Sequence, residues 1–230
     1  MSFSTRRLPA AAAETGRPED RGAAPAGRHR TGDRSTRREQ ILDGASEMFA
    51  EHGYDGASLR HIAAHVGISH PGMLHHFPSK DALLGAVIDR LEAHAQAALD
   101  HVDDIGVDAA ALFRALDELW NPASHPMQLL ASLDAGAVSR SNPGRFRVAR
   151  LRRVHEHILE RCFTSLDGQG LLREGVDRGF AGRALLALVL SHAVREKTVR
   201  AMQQSDHDDV PLRDLTRLTR LFLHHPAPRG

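Results

Sequence analysis

Between Ser58 and Phe77 the chain carries side chains suited to touching a polyanion and the groups it encloses. Ser69, His70, Pro71, Gly72 and Met73 fall together, followed by His75 and His76, with Ser58 and Arg60 upstream and Lys80 just beyond. Imidazole donates hydrogen bonds and gains charge when protonated, and a thioether packs on a methyl group. His70 and Met73 are the candidates for base edges, His donating to guanine and Met meeting a thymine methyl. Packing against the nucleic-acid backbone is the alternative for both. Ser58, His75, His76 and Lys80 suit phosphate oxygens, and Arg60 joins this DNA-binding set. Ser79 and Lys80 stand where a helix N-terminus already favours an anion.

The elements that must hold these groups are readable. Leu59, Ile62, Ala63 and Val66 fall at i, i+3, i+4, i+7, the stripe of a short amphipathic helix capped by Ser58. Gly67 stops it, where positive φ costs glycine least. Ile68 turns back to the core, and Ser69 caps a second helix that starts at His70 with Pro71 in its first turn. Two short helices across a tight glycine turn predict a helix-turn-helix. A bulky side chain at Ala63 would hold them apart. Upstream, Thr36–His52 reads as a helix with Ile41, Ala45, Met48 and Phe49 inward, ended by Gly53. Downstream, Ser79 caps a helix burying Leu84, Val87, Ile88 and Leu91.

These residues resemble the TetR family of bacterial transcriptional regulators. The family pattern is a Ser- or Thr-capped helix with Ile-Ala, a Gly-hydrophobic-Ser turn, Gly-x-Leu-Tyr-x-His-Phe, and Ser-Lys. Here stand Ser58, Ile62-Ala63, Gly67-Ile68-Ser69, Gly72-Met73-Leu74-His75-His76-Phe77 and Ser79-Lys80. The likeness covers roughly residues 34–91. On this reading His75 takes the place of the family tyrosine, which implies a phosphate contact made by imidazole. The resemblance implies a homodimer on a pseudo-palindromic double-stranded operator, released by a small-molecule effector.

Charge is unevenly distributed. Residues 1–32 carry six arginines against three carboxylates, a formal +3, in an Ala/Gly/Pro-rich stretch expected to be a disordered basic tail. Such a tail is either dispensable or an arm for the minor groove. Residues 33–95, the expected DNA-binding domain, carry five Arg and one Lys against nine carboxylates, a formal −3. That sign opposes DNA binding, and the placement of Arg34, Arg37, Arg38, Lys80 and five histidines around the reading helix answers it.

The remainder, residues 96–230, reads as helical throughout, an effector-binding and dimerisation domain in an all-α protein of about nine helices. Segments at 107–120, 127–139, 145–166 and 181–202 are expected as helices. A last one carries a stripe of Leu212, Leu215, Leu218, Leu221 and Phe222. Ala184–Leu190 is apolar nearly all round, so the last two helices are expected to pack against a twofold copy. Phe113, Leu116, Trp120, Met127, Leu130, Leu133, Val154, Ile158 and His192 either line an apolar effector cavity or simply fill a core. An aromatic content of 4% weighs against a planar, stacked ligand.

Other classes find little support. The longest apolar run is seven residues, no signal peptide is expected, and the single cysteine, Cys162, fits a packed thiol in a reducing cytoplasm. The sixteen histidines include His155/His157, His75-His76 and His224-His225, and no spacing completes a metal site. No phosphate loop, nucleophile elbow or HExxH is present, so neither an enzyme nor a cofactor is expected. The competing reading is a ligand-binding helical protein whose acidic N-terminal domain has lost useful DNA affinity.

Overall fold

Amphipathic stripes of the kind just described need one another's faces, and the chain satisfies them with helices alone. The structure, a computed structural model, describes residues 29–202 and 210–224. Residues 1–28 of the expected tail, and His225, lie outside these. Ten helices are present among the described residues: α1 (His29–Gly56), α2 (Leu59–Val66), α3 (His70–His76), α4 (Lys80–Asp100), α5 (Val102–Ile105), α6 (Ala109–Glu118), α7 (His125–Gly136), α8 (Arg145–Gly168), α9 (Arg178–Met202) and α10 (Val210–Phe222). The one beyond the expected nine is α5, a single turn after His101, too short to show periodicity.

Residues 29–32, assigned from composition to the tail, belong to the backbone of α1. Gly53 breaks α1 as expected, at φ 68° and ψ 178°. The two helices after it are clasped at both ends. The Ser58 hydroxyl accepts from the His61 N–H, and Gly67, at φ 74°, ends α2 in the left-handed region. Ile68 then donates back to the Ala63 carbonyl at 2.9 Å. Ser69 and Ser79 accept from Gly72 N–H and Ala82 N–H and so start α3 and α4.

A continuous apolar core runs through both halves. The first half contributes Ile41, Ala45, Phe49, Ile62, Ala63, Met73 and Phe77, and the second Leu112, Trp120, Met127, Leu130, Ile158 and Phe163. Position 95, taken from sequence as a domain boundary, lies within α4. That helix runs from the helix-turn-helix into the second half, and α1 packs extensively along α7. The Ser132 hydroxyl on α7 donates to the Phe49 carbonyl on α1 at 3.0 Å. Arg147 on α8 grips α4 through Asp89 and Glu92, each at 2.6 Å.

Towards the C-terminus the expected stripe is only partly inward. Leu215 is buried, whereas Leu221 is 59% exposed. An antiparallel bridge between Leu172 and Leu223 clips the end of α10 to the turn after α8. Cys162 is buried, and desolvation pushes its thiol up to about 12. No helix among the described residues is long and apolar enough to cross a membrane.

A close helix approach in the second half is made at Gly182 on α9. A Cβ there would lie 3.0 Å from the Glu160 backbone nitrogen and 3.2 Å from the Glu156 carbonyl of α8. Backbone cannot yield as a side chain does. Gly182→Val is expected to lower unfolding free energy by about 1–3 kcal/mol in urea titration. Gly168→Ala, which meets open space, is expected to leave it unchanged or raise it. Equal midpoints for the two variants would show that the α8–α9 spacing is not what Gly182 maintains.

Candidate nucleic-acid interface

The turn places α3 with one face in the core and one in solvent. Met73 and Phe77, four residues apart, are buried, and Arg38 from α1 stacks over the Phe77 ring at 5.0 Å. The opposite face is His70, Pro71, Leu74 and His75, all exposed, with Ser69 before them. Arg60 and His61 are exposed on α2, while Ser58, Gly72 and His76 are half-buried. Of the residues selected from sequence for DNA contact, all but Met73 are exposed or half-buried. No carboxylate stands between Leu59 and Phe77.

Two of the selected residues have other work. Met73 was expected at a base edge, yet it is 0% exposed and lies in the core. A seven-residue helix packed through Phe77 must also bury position i−4, and that is Met73. The outward apolar side chain is its neighbour Leu74, 41% exposed, which sequence reasoning missed. The signal was available: the family's Gly-x-Leu-Tyr-x-His-Phe spans seven residues and Gly72–Phe77 only six. Counted back from Phe77, Leu74 stands at the tyrosine position, and His75 one place beyond it.

The second is Lys80, expected at a phosphate. Its ammonium donates to the Tyr54 carbonyl at 2.9 Å and the Ala57 carbonyl at 3.0 Å, and sits 4.0 Å from the centre of the Tyr54 ring. The Tyr54 hydroxyl donates in turn to Asp81. Burial first, and then Asp81, hold the phenol protonated by pushing its pKa up. Lys80 thus ties the end of α1, beyond the break at Gly53, to the first turn of α4, and two of its three protons are engaged.

The residues proposed from sequence as an effector cavity are mostly core. Leu116, Trp120, Met127, Leu130, Leu133 and Ile158 have no accessible surface, so not even a water-sized void adjoins them. Phe113, Val154 and His192 are half-buried. Trp120 donates its indole N–H to Nδ1 of the buried His155 at 3.2 Å. Open space lies elsewhere. A groove of about 440 Å³ runs between α1, α4 and α7, past Asp43, Glu47, Arg90, His94 and His125 over Val87, Leu91 and Leu129. Another of about 360 Å³ lies between α4, α5 and α6, with His94, His101 and Arg114 at its rim.

The geometry defines a helix-turn-helix protein with an exposed second helix. Residues 41–87 match the profile described as bacterial regulatory proteins, tetR family. Over 53 residues, 23% of this chain, the sequence is 49% identical to the HTH-type transcriptional repressor Rv1474c of Mycobacterium tuberculosis, spanning 28% of that protein. Over 69 residues, 29% of this chain, it is 44% identical to the HTH-type transcriptional activator FasR of Mycolicibacterium smegmatis, spanning 32% of it. The whole fold is similar to a TetR-family transcriptional regulator from Agrobacterium tumefaciens, with a TM-score of 0.67 at 21% identity over 83% of this chain and 99% of that one. Over residues 41–87 the chain is similar to the TetR family, and it spans about a third or less of the length of the curated relatives it matches.

Two outcomes follow from the contacts just described. Lys80→Met keeps the stem and removes the donors, leaving two carbonyls without their partner. Urea unfolding should show a loss of about 1–2 kcal/mol, and an unchanged midpoint would return Lys80 to the surface set. His155 has its pKa lowered to about 4, by desolvation first and then by His94. The unfolded chain binds that proton more readily, so the stability is fully present above about pH 6.5 and drains as pH falls towards 4, by about 3 kcal/mol at most. His155→Gln, which keeps an acceptor for Trp120, should flatten this part of the stability–pH curve. A variant curve parallel to the wild type would assign the loss to other groups.

Proposed function

We propose that this protein is a sequence-specific, double-stranded-DNA-binding transcriptional regulator, a cytoplasmic homodimer released from its operator by a small molecule. The observation that carries the reading is the outward face of α3, free of carboxylates and framed by three Ser-capped helix starts. The family match over residues 41–87 supports it. Repression is the mode we assign; the similar proteins named above include one repressor and one activator. A regulator of this kind needs no catalytic group.

A homodimer is supported by α9. Phe180, Ala187 and Val194, seven residues apart, form an exposed stripe with Ser191, and Phe180 is 57% exposed. A heptad spacing of that kind suits a second helix, and a twofold copy supplies it. We assign the effector to the groove between α1, α4 and α7. It touches the helix that carries the reading head and the helix that packs on it, so an occupant favouring one arrangement changes DNA affinity through differential binding.

Selection of bound sequences from random duplex DNA at moderate salt is expected to return a palindromic motif with half-sites about one helical turn or more apart. Arg60→Ala should then weaken binding to all duplexes alike and reduce the log–log salt slope by about 0.9. Failure to select any motif at both moderate and low salt would overturn the reading, and favour a helical ligand-binding protein without DNA affinity.

A further inference from the structure

The reading helix is unusual in what it omits. From His70 to His76 it has no Arg, Lys, Asn, Gln, Asp or Glu. Those side chains make the bidentate or charged hydrogen bonds that distinguish guanine, adenine and cytosine in the major groove. The outward face offers two imidazoles, His70 and His75, and between them an apolar pair, Pro71 and Leu74, three residues apart and so neighbours on the helix surface. Leu74 is the only large apolar side chain exposed in α1–α4 among the described residues. It has no inward alternative, because Met73 and Phe77 already occupy the core beneath α3.

A base pair presents one apolar group in the major groove, the C5-methyl of thymine. We propose that Leu74, seated against Pro71, is the specificity-determining residue of α3 and reads thymine through that methyl. The inference rests on the DNA-binding reading above and adds which base is read, by which side chain and through which atoms. It also accounts for leucine at the position counted as the family tyrosine. A hydroxyl there serves a phosphate, whereas an isobutyl group gains only from an apolar neighbour.

Deoxyuridine tests this directly, since it pairs as thymidine does and lacks only the methyl. In the selected duplex, each thymine of a half-site is replaced in turn and affinity is measured by fluorescence anisotropy. At one or two thymines per half-site the wild-type protein should bind about fourfold more weakly for each methyl removed. Leu74→Ala should bind thymine and uracil duplexes alike, while Arg60→Ala should keep the discrimination at lower overall affinity. Wild-type indifference at every thymine, the same discrimination in Leu74→Ala, or a motif with no thymine in its half-sites would each overturn the proposal and leave the DNA reading standing. A protein that selects no sequence removes both.

Discussion

The ammonium of Lys80 is where two parts of the molecule meet. Two carbonyls, of Tyr54 at the end of α1 and Ala57 just after it, and the face of Tyr54 converge on it, and the Tyr54 hydroxyl reaches Asp81 on the same turn of α4. This knot fixes where α4 begins relative to the end of α1. Since α2 and α3 hang between those two points, it also fixes the frame of the helix-turn-helix. The sequence offers Ser79-Lys80 as a helix start suited to an anion. What it does not show is that carbonyls from residues 54 and 57 take that place, because the contact closes over more than twenty residues.

Electrostatics follow from the same internal pairing. The formal −3 of residues 33–95 is an average over surfaces that face different ways. Asp43 pairs with Arg90 at 2.7 Å, Glu47 with His65 at 2.6 Å, and Asp89 and Glu92 with Arg147. Arg147 draws Glu92 below the usual carboxylate range, and the carboxylate in turn raises the guanidinium. All of these acids lie on α1 and α4. A ligand approaching α3 meets Arg60 and imidazoles first, and an exposed acid behind them is screened over roughly a Debye length. Net charge by segment is therefore a poor guide here, and charge by helix a better one.

Local rules were legible in proportion to how local they are. Ser58, Ser69 and Ser79 cap the helices that their spacing predicts, and Gly67 turns as expected, since these contacts close within four residues. The reading face was half legible. Its position followed from the turn, but the choice between Met73 and Leu74 depends on which one shares a side with Phe77, a matter of one step in phase. The open groove was not legible. Residues along α6 to α9 satisfy a cavity and a filled core equally well in sequence, and only the absence of accessible surface at Trp120, Met127 and Ile158 distinguishes them.

That filled core changes how the two halves communicate. A hollow second half would yield locally around an occupant, whereas a close-packed one moves its helices as units. Here the helix-turn-helix is held by such units twice. It is carried on α4, which Arg147 fixes to α8, and it is braced by α1 against α7, where Ser132 meets Phe49. Rotating α4 without moving α1 would shear the Lys80 knot, and sliding α7 along α1 would break the Ser132 bond. Displacements that carry α1 and α4 together leave the Lys80 knot intact and load the α1–α7 contact at Ser132. The groove bounded by α1, α4 and α7 is the space whose width such a joint movement sets against α7, and the Asp43–Arg90 pair already ties α1 to α4 at its rim.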